Sequence, residues 1–480
     1  MSAVEQLEAA GEVLSPAVRA VIVALEARVR ALETLVAQQA ARIRELEARL
    51  AQDSTNSSRP PSTDPPGTTR PPTPASGRRP GGQPGHRGHH RAVLPPARVD
   101  AVVEHRAPAC RRCGHALAAA VPVGEPARHQ VVELPPVRAH VTEHRALTLA
   151  CPVCGTHTRA TLPATVRRHA FGPRLTALAV TLLGRFRLSR RNLTALLAEL
   201  LDVPAPALGT TQRFAEEAGA ALAAPYAEVR TAVRASARLW VDETSWALRG
   251  ALRWLWAAAT PTATLYRLGR RRNRRACELL IGRAYAGVLT TDRWRAYDGH
   301  PLDRRQVCWA HLLRNLQGLA DAGGAGAALG TWGVREAERV FHVWHQHQRG
   351  ELTRAQLRRA LVPVRMRLGR LLGRALACSE RRPRALARDL LRLWDGLWTF
   401  ARHDAVEPTN NRAERALRAP VLWRKTSFGS GSGAGLRVVE RLLTVGETCR
   451  QQGRNVLHYL ADALTAARAG HAAPRLLPAR

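Results

Sequence analysis

Lysine is almost missing from this chain: of 73 basic side chains, Lys425 is the one lysine, and arginine supplies the rest. Exchanging one cation for the other leaves charge unaltered, so the bias reflects the source genome rather than a binding preference. Acidic residues are also scarce, 38 against 73, which leaves a formal net charge of +35 over 480 residues. That excess is far beyond what solubility requires and points to a polyanion, with nucleic acid the default partner. No apolar run approaches the length of about twenty residues that a membrane helix needs, and no signal peptide opens the chain. Membrane insertion and secretion are therefore not expected. The first fifty residues hold seven Glu and six Arg, so the positive charge lies downstream. The length allows three or more folding units.

Eight cysteines are present. Cys277, Cys308, Cys378 and Cys449 are scattered, as reduced intracellular thiols are. The others form two Cys-x-x-Cys pairs, Cys110 with Cys113 and Cys151 with Cys154, each followed by a glycine (Gly114, Gly155). Each pair sets two thiolates on one tight turn, and two such turns supply the four ligands of a tetrahedral structural Zn²⁺. A disulfide or redox pair is the alternative; doubled knuckles without a secretory signal favour zinc. The 37 residues between the pairs exceed the usual ribbon spacing, so hairpins are expected there.

Along the chain the expected class is multidomain α+β. Within residues 1–51, Ile22, Leu25, Val29, Leu32, Val36, Ile43, Leu46 and Leu50 repeat in alternating steps of three and four, broken only by Gln39. That pattern predicts a coiled coil, against the plainer reading of one amphipathic surface helix. Residues 52–98 form a Pro/Gly/Arg linker arm whose arginines can follow a phosphate backbone. The zinc module spans 99–162, with short strands at Val131–Leu134 and Ala146–Leu149. A helical region follows at 168–232, where Thr210 or Thr211 can cap a third helix. There Arg190 and Arg191 before the second helix suit either a DNA reader or plain packing.

From 236 to 320 the period changes. Strands are expected near 239–241, 254–258, 264–268, 287–291 and 306–309, with helices at 274–284 and 310–320. That order matches a ribonuclease-H-like α/β core. Residues 321–402 read as a helical insertion, 403–465 as the last part of the core, and 466–480 as a tail. Asp242 and Asp292 end the first and fourth strands, which are neighbours in such a sheet. Carboxylates that close repel one another unless a cation lies between them. Glu414 is the best third candidate, with Glu407 as the fallback; Glu243 beside Asp242 and Asp298 near Asp292 are the neighbouring alternatives to the two aspartates. Each also has a structural reading: Asp292 as a turn cap before Trp294, and Glu414 as partner of an Asn411 cap or of Arg418. His311, in Cys308-Trp309-Ala310-His311, reads as a packed or phosphate-facing histidine. A second zinc using Cys308, His311 and two of His342, His345 and His347 is the alternative. Arg270, Arg271 and Arg272 leave a strand beside the acidic edge, as a phosphate contact or a solvated run.

Taken together these residues resemble the insertion-sequence transposases of family sixty-six, the TnpC type, over nearly the whole chain. The likeness rests on the heptads, Asn56-Ser57-Ser58-Arg59-Pro60-Pro61, Gly82-Gln83-Pro84-Gly85-His86 and the knuckles. It continues through Val241-Asp242-Glu243-Thr244, Thr291-Asp292-Arg293-Trp294, Cys308-Trp309-Ala310-His311, Asn410-Asn411-Arg412-Ala413-Glu414-Arg415 and Arg424-Lys425-Thr426. The one departure is arginine in place of lysine, Arg59 included, and either side chain meets phosphate. The resemblance implies a DDE transposase that selects Asp242, Asp292 and Glu414 as ligands of two catalytic Mg²⁺ ions. It implies double-stranded DNA as partner (the element's terminal inverted repeats and a target) and adds Arg415, Arg424 and Lys425 as DNA contacts. Homo-oligomers through the coil, a cytoplasmic, nucleoid-associated location and a role for accessory transposition proteins follow in the same way. A catalytically silent DNA-binding descendant is the alternative, and a junction or RNA–DNA hybrid nuclease on the same fold is a third reading.

Overall fold

The computed structural model describes residues 3–50, 86, 91–202 and 204–478. Most of the arm read at 52–98, with the motifs at 56–61 and 82–85, lies outside the described residues. The described chain divides into two compact units: Pro71–Arg145 with Ala195–Ala205, and the remainder.

The smaller unit holds the first knuckle. The Cys110 N–H donates to His115 O (2.8 Å) and the Gly114 N–H to Cys110 O (2.9 Å), with Gly114 at φ +75°, a conformation glycine adopts without penalty. The hairpins expected between the knuckles do not form among the described residues of this unit, and Val131–Leu134 is no strand. Val131 and Val132 are exposed, and the chain is held instead by a side-chain clamp. The Gln130 amide accepts from the Leu94 N–H (2.8 Å) and donates to Leu94 O (3.0 Å), replacing backbone pairing with one side chain.

In the larger unit, helix α1 (Ala3–Ala9) lies against α2 (Pro16–Leu50), a single 35-residue helix about 52 Å long. Its heptad side chains are open to solvent: Leu25, Val29, Leu32, Val36 and Ile43 are all more than half exposed. The second knuckle is framed by β1 (Thr148–Ala150) and β2 (His157–Arg159), paired antiparallel. It repeats the bonding of the first: the Cys151 N–H to Thr156 O and the Gly155 N–H to Cys151 O, both 2.9 Å.

Helices α3 (Ala164–Arg168), α4 (Pro173–Gly184), α5 (Arg190–Leu201), α6 (Leu208–Ala221) and α7 (Ala223–Arg234) follow. The threonine cap expected for the third helical segment is not made. Helix α6 starts earlier, at Leu208, and Thr211 Oγ1 is occupied, donating to Leu208 O and accepting from Arg190 (3.1 Å).

The central sheet contains β3 (Arg238–Leu248), β4 (Ala251–Ala259), β5 (Thr264–Gly269), β6 (Val288–Thr291) and β7 (Arg305–Val307). Its order is β5-β4-β3-β6-β7, with the first three a meander and β6 and β7 parallel to β3. Arg249 and Gly250, both at positive φ, make the two-residue turn that matches strand twist. Helix α8 (Arg274–Ile281), capped by the Asn273 side chain, crosses from β5 to β6; α9 (Trp309–Ala320) leaves β7. The insertion is helical: α10 (Ala327–Gln348), α11 (Arg354–Leu376) and α12 (Arg381–Arg392), then the short α13 (Thr399–Arg402). Leu361, Leu368, Leu390, Trp309, Trp344 and Trp398 share its core. Helices α14 (Asn411–Ser427), α15 (Gly433–Gln451) and α16 (Val456–Arg468) complete the chain.

One face of the sheet is closed by α14 and α15. Trp246, Leu255, Tyr266 and Leu268 pack there with Leu417, Leu436, Val439 and Leu443. Each such side chain contributes about 1.5–3 kcal/mol on burial. The exposed edge of β5 is closed by side chains of α15. Thr448 and Thr444 accept the N–H groups of Thr264 (3.2 Å) and Tyr266 (3.0 Å), and Glu440 accepts that of Leu268 (2.6 Å).

Candidate active site

Neighbouring strand residues point to opposite faces, and that separates Asp242 from Glu243. Glu243 is buried and fully engaged: Arg272 Nε donates to it at 2.6 Å and the Tyr297 hydroxyl makes a second, short hydrogen bond. Arg272 in turn lies over the rings of Trp254 (4.8 Å) and Trp294 (4.4 Å). Asp242 is half-buried, and among the described residues its carboxylate accepts one hydrogen bond, from the Glu243 N–H (2.9 Å). Its pKa is pushed well above the usual carboxylate range, first by burial, then by the charges of Glu243, Asp292 and Glu414. Asp242 thus feels the charges of two carboxylates remote from it in sequence, Asp292 and Glu414.

Asp292 directly follows β6, the strand that pairs with β3 through Trp240↔Thr290. Its Oδ1 accepts the Trp294 N–H (2.8 Å), so the turn-capping role expected as an alternative is also filled. The loop beyond is organised by the buried Arg305, which bonds Asp298 Oδ1 (2.8 Å), Thr291 Oγ1 (3.2 Å) and the Asp292 carbonyl (3.2 Å). Asp298 also pairs with Arg392 (2.9 Å), which commits this rival carboxylate to holding the loop.

Glu414 returns to the sheet through the segment 408–411, which ends in the Asn410-Asn411 motif. Pro408 O accepts the Trp309 N–H (2.9 Å). Asn410 is fully buried: its N–H meets Cys308 Sγ (3.2 Å) and its Nδ2 donates to Val241 O (2.8 Å), the residue before Asp242. Helix α14 begins at Asn411, so Asn411 is its first residue and no cap; Asn410 precedes it and gives it no side-chain cap. Arg412 lies over the Trp240 ring (4.8 Å). Glu414 faces His311 rather than Arg418: the buried atoms His311 Nδ1 and Glu414 Oε1 are 3.5 Å apart, and among the described residues neither has a hydrogen-bond partner. Burial lowers the His311 pKa, against the opposing charge of Glu414. Cys308 Sγ lies with these two groups, all within 4.8 Å of one another, and burial pushes the Cys308 thiol up to about 11. His342, His345 and His347, the partners expected for a second zinc, are not in this group.

A cavity of about 580 Å³ opens beside Asp292, lined among others by Trp294, Arg295, His311, Arg382 and Asp389. Arg293 ties its floor together, bonding Asn315 (2.9 Å) and pairing with Asp389 of α12. Of the arginines expected at DNA, Arg191, Arg270, Arg271 and Arg415 are exposed, as is Lys425. The others are engaged inside the protein. Arg190 bonds Thr211 and Gln212, Arg272 holds Glu243, and Arg424 bonds Thr244 Oγ1 (3.1 Å) and Ser245 O (2.6 Å).

At the knuckles, the Cys110 thiol is held below its usual range by backbone N–H groups of its own turn, that of Cys113 first. The Cys154 thiol is lowered chiefly by the Thr156 hydroxyl, 3.3 Å away. Thiolate is the form that binds a metal.

Among known proteins, the model of the zinc-finger binding domain of transposase IS66 matches residues 107–155, and that of a family of unknown function matches 14–92. An uncharacterized protein of Sinorhizobium fredii, y4qI, is 26% identical over 242 residues, covering 44% of this chain and 43% of that protein. A second from the same organism, y4hP, is 39% identical over 75 residues, 16% of this chain and 14% of that protein. The chain thus spans less than half the length of these curated relatives. No solved structure matches. The model of the transposase IS66 family covers residues 168–438, more than half of the chain and a span that includes Asp242, Asp292 and Glu414, and on that match the chain belongs to the IS66 transposase family.

Proposed function

We propose that this protein is a DDE-type transposase that cuts DNA at the ends of its own insertion sequence and joins those ends to a target. The observation that carries the reading is that Asp242 of β3, besides being buried, feels the charges of Asp292, which follows β6, and of Glu414, in the first turn of α14. The strand order, with a meander followed by two parallel strands, supports a ribonuclease-H-like core. The donor set fits hard divalent cations: all oxygen, and with a proton on Asp242 favoured first by burial and then by like charges that a cation would offset. These residues would hold two Mg²⁺, for which Mn²⁺ can substitute. When bound, such a pair supplies activation of a water or 3′-hydroxyl and offsets charge on the leaving oxygen.

The chain's own residues do the positioning. Asn410 fastens the start of α14 to β3, Arg305 sets the loop after Asp292, and Arg293 joins that loop to the insertion. Phosphates would meet the exposed Arg191, Arg270, Arg271, Arg415 and Lys425, with Arg190, Arg272, Arg424 and His311 behind them. The thiolates of Cys110 with Cys113 and of Cys151 with Cys154 are the donors that structural zinc would use. The open heptad stripe of α2 is read as the seam of a coiled coil with a second copy of this chain.

The test is Mg²⁺-dependent nicking of a duplex carrying the element's terminal repeat. Asp242→Ala, Asp292→Ala and Glu414→Gln should each lower the rate by at least about a hundredfold. Undiminished nicking in any variant removes that residue from the site. A folded wild-type protein that binds the repeat without ever nicking it is a DNA-binding protein only.

A further inference from the structure

We propose that Cys308, His311 and Glu414 form a transition-metal site of the zinc class, with Glu414 common to it and to the carboxylate cluster. One donor atom from each of the three lies within 4.8 Å of the other two. Cys308 immediately precedes α9 and His311 is its third residue, so one helical turn presents both. Glu414 comes from the first turn of α14. Both helix N-termini favour anionic side chains, and a thiolate and a carboxylate balance a divalent charge with a neutral imidazole.

A second observation concerns the hydrogen bonding of two of these groups. His311 Nδ1 and Glu414 Oε1 are buried and lack any hydrogen-bond partner, although they face each other at 3.5 Å. Buried polar atoms are nearly always satisfied, so two orphans pointing together mark a place for something else. The sulfur is already supported as a metal thiolate would be, since Cys308 Sγ receives the Asn410 N–H at 3.2 Å. Sulfur, nitrogen and oxygen donors together select Zn²⁺ or Co²⁺ over Mg²⁺, which takes oxygen. Three protein donors leave the fourth position open to a water or a phosphate oxygen, the pattern of a reactive rather than a structural zinc. The donor set rests on geometry alone; that the open position faces DNA rests on the function proposed above.

Cobalt titration of the full-length apo-protein tests this, because a Co²⁺–thiolate bond absorbs in the near ultraviolet. Wild type should take up about one equivalent more than His311→Gln or Cys308→Ser, with a weaker one-thiolate band beside that of the knuckles. Asp242→Asn should keep that equivalent. Equal uptake and equal spectra in wild type and a folded His311→Gln overturn the site, and the circular dichroism of the variant shows whether it is folded. A retained extra equivalent together with full nicking by Asp242→Ala would instead leave the metal site standing and sink the transposase mechanism.

Discussion

Asp242 and Glu243 are adjacent acids whose charges burial disfavours alike, and hydrogen bonding sets their expected mutant behaviour apart. The Glu243 side chain is 0% exposed and accepts from Arg272, itself 31% exposed, and from the Tyr297 hydroxyl. In Glu243→Gln one acceptor oxygen becomes an amide donor facing a donor, and the Arg272 charge loses its counterion. Hydrogen bonds to charged groups contribute about 1.5–3 kcal/mol each; with Arg272 partly solvated, a loss of about 2–4 kcal/mol follows. For a unit of roughly 300–400 residues that lowers the melting temperature by about 2–6 °C. Asp242→Asn should do the reverse in chelator. It removes a charge opposed by burial and three neighbouring carboxylates, so the protein should melt at or above the wild-type temperature while nicking is lost. Differential scanning fluorimetry in chelator, and nicking assayed well below both transitions, separates the two. A Glu243→Gln protein that melts like wild type yet cannot nick would place the reactive carboxylate on the other face of the sheet, and the assignment built on Asp242 would be wrong.

The raised pKa of Asp242 has a definite pH sign. A folded-state value above the unfolded one gives stability that is present at low pH and lost as pH rises through the folded value. In chelator, the melting temperature of wild type relative to Asp242→Asn should therefore fall as pH rises from about 4, and Mg²⁺ should restore it near neutrality; a flat difference contradicts the clustering. Asn410→Ala removes the bond to Val241 O inside the core, and should cost about 1–3 kcal/mol in denaturant melts and slow nicking without weakening repeat binding. An unchanged nicking rate would show that Glu414 needs no such tether. Leu32→Arg with Val36→Arg should convert the assembly to monomers in light scattering, since both side chains lie exposed along α2; an unaltered mass would remove α2 from the interface.

Much of the sheet was legible because its signals are local. The buried run Val288–Thr291 ends where Asp292 becomes half-exposed, and Arg249-Gly250 sits between two alternating strands. What failed were choices in which a local option lost to a partner remote in sequence. Thr211 reads as a helix cap, but Arg190 claims its hydroxyl. Asn411 reads as a cap, but Asn410 precedes the helix and is held by Cys308 and Val241. A side-chain cap contributes about 1 kcal/mol, no more than one tertiary hydrogen bond, so propensity alone cannot rank the two.

The polar stripe of α15 shows the same limit at the level of an element. Glu440, Thr444 and Thr448 recur every fourth residue, the spacing of an ordinary solvent face, yet they read the N–H groups of Leu268, Tyr266 and Thr264. The match is metric: four helical residues rise about 6 Å and two strand residues about 6.8 Å, so a helix running antiparallel to an edge strand stays in register for three contacts. An edge left open would recruit another strand, and here a helix closes it. Tyr266 is one of these three residues and also packs against Leu417 of α14, the helix that begins at the Glu414 turn. The ladder that closes the edge therefore also seats the helix on which the third carboxylate stands.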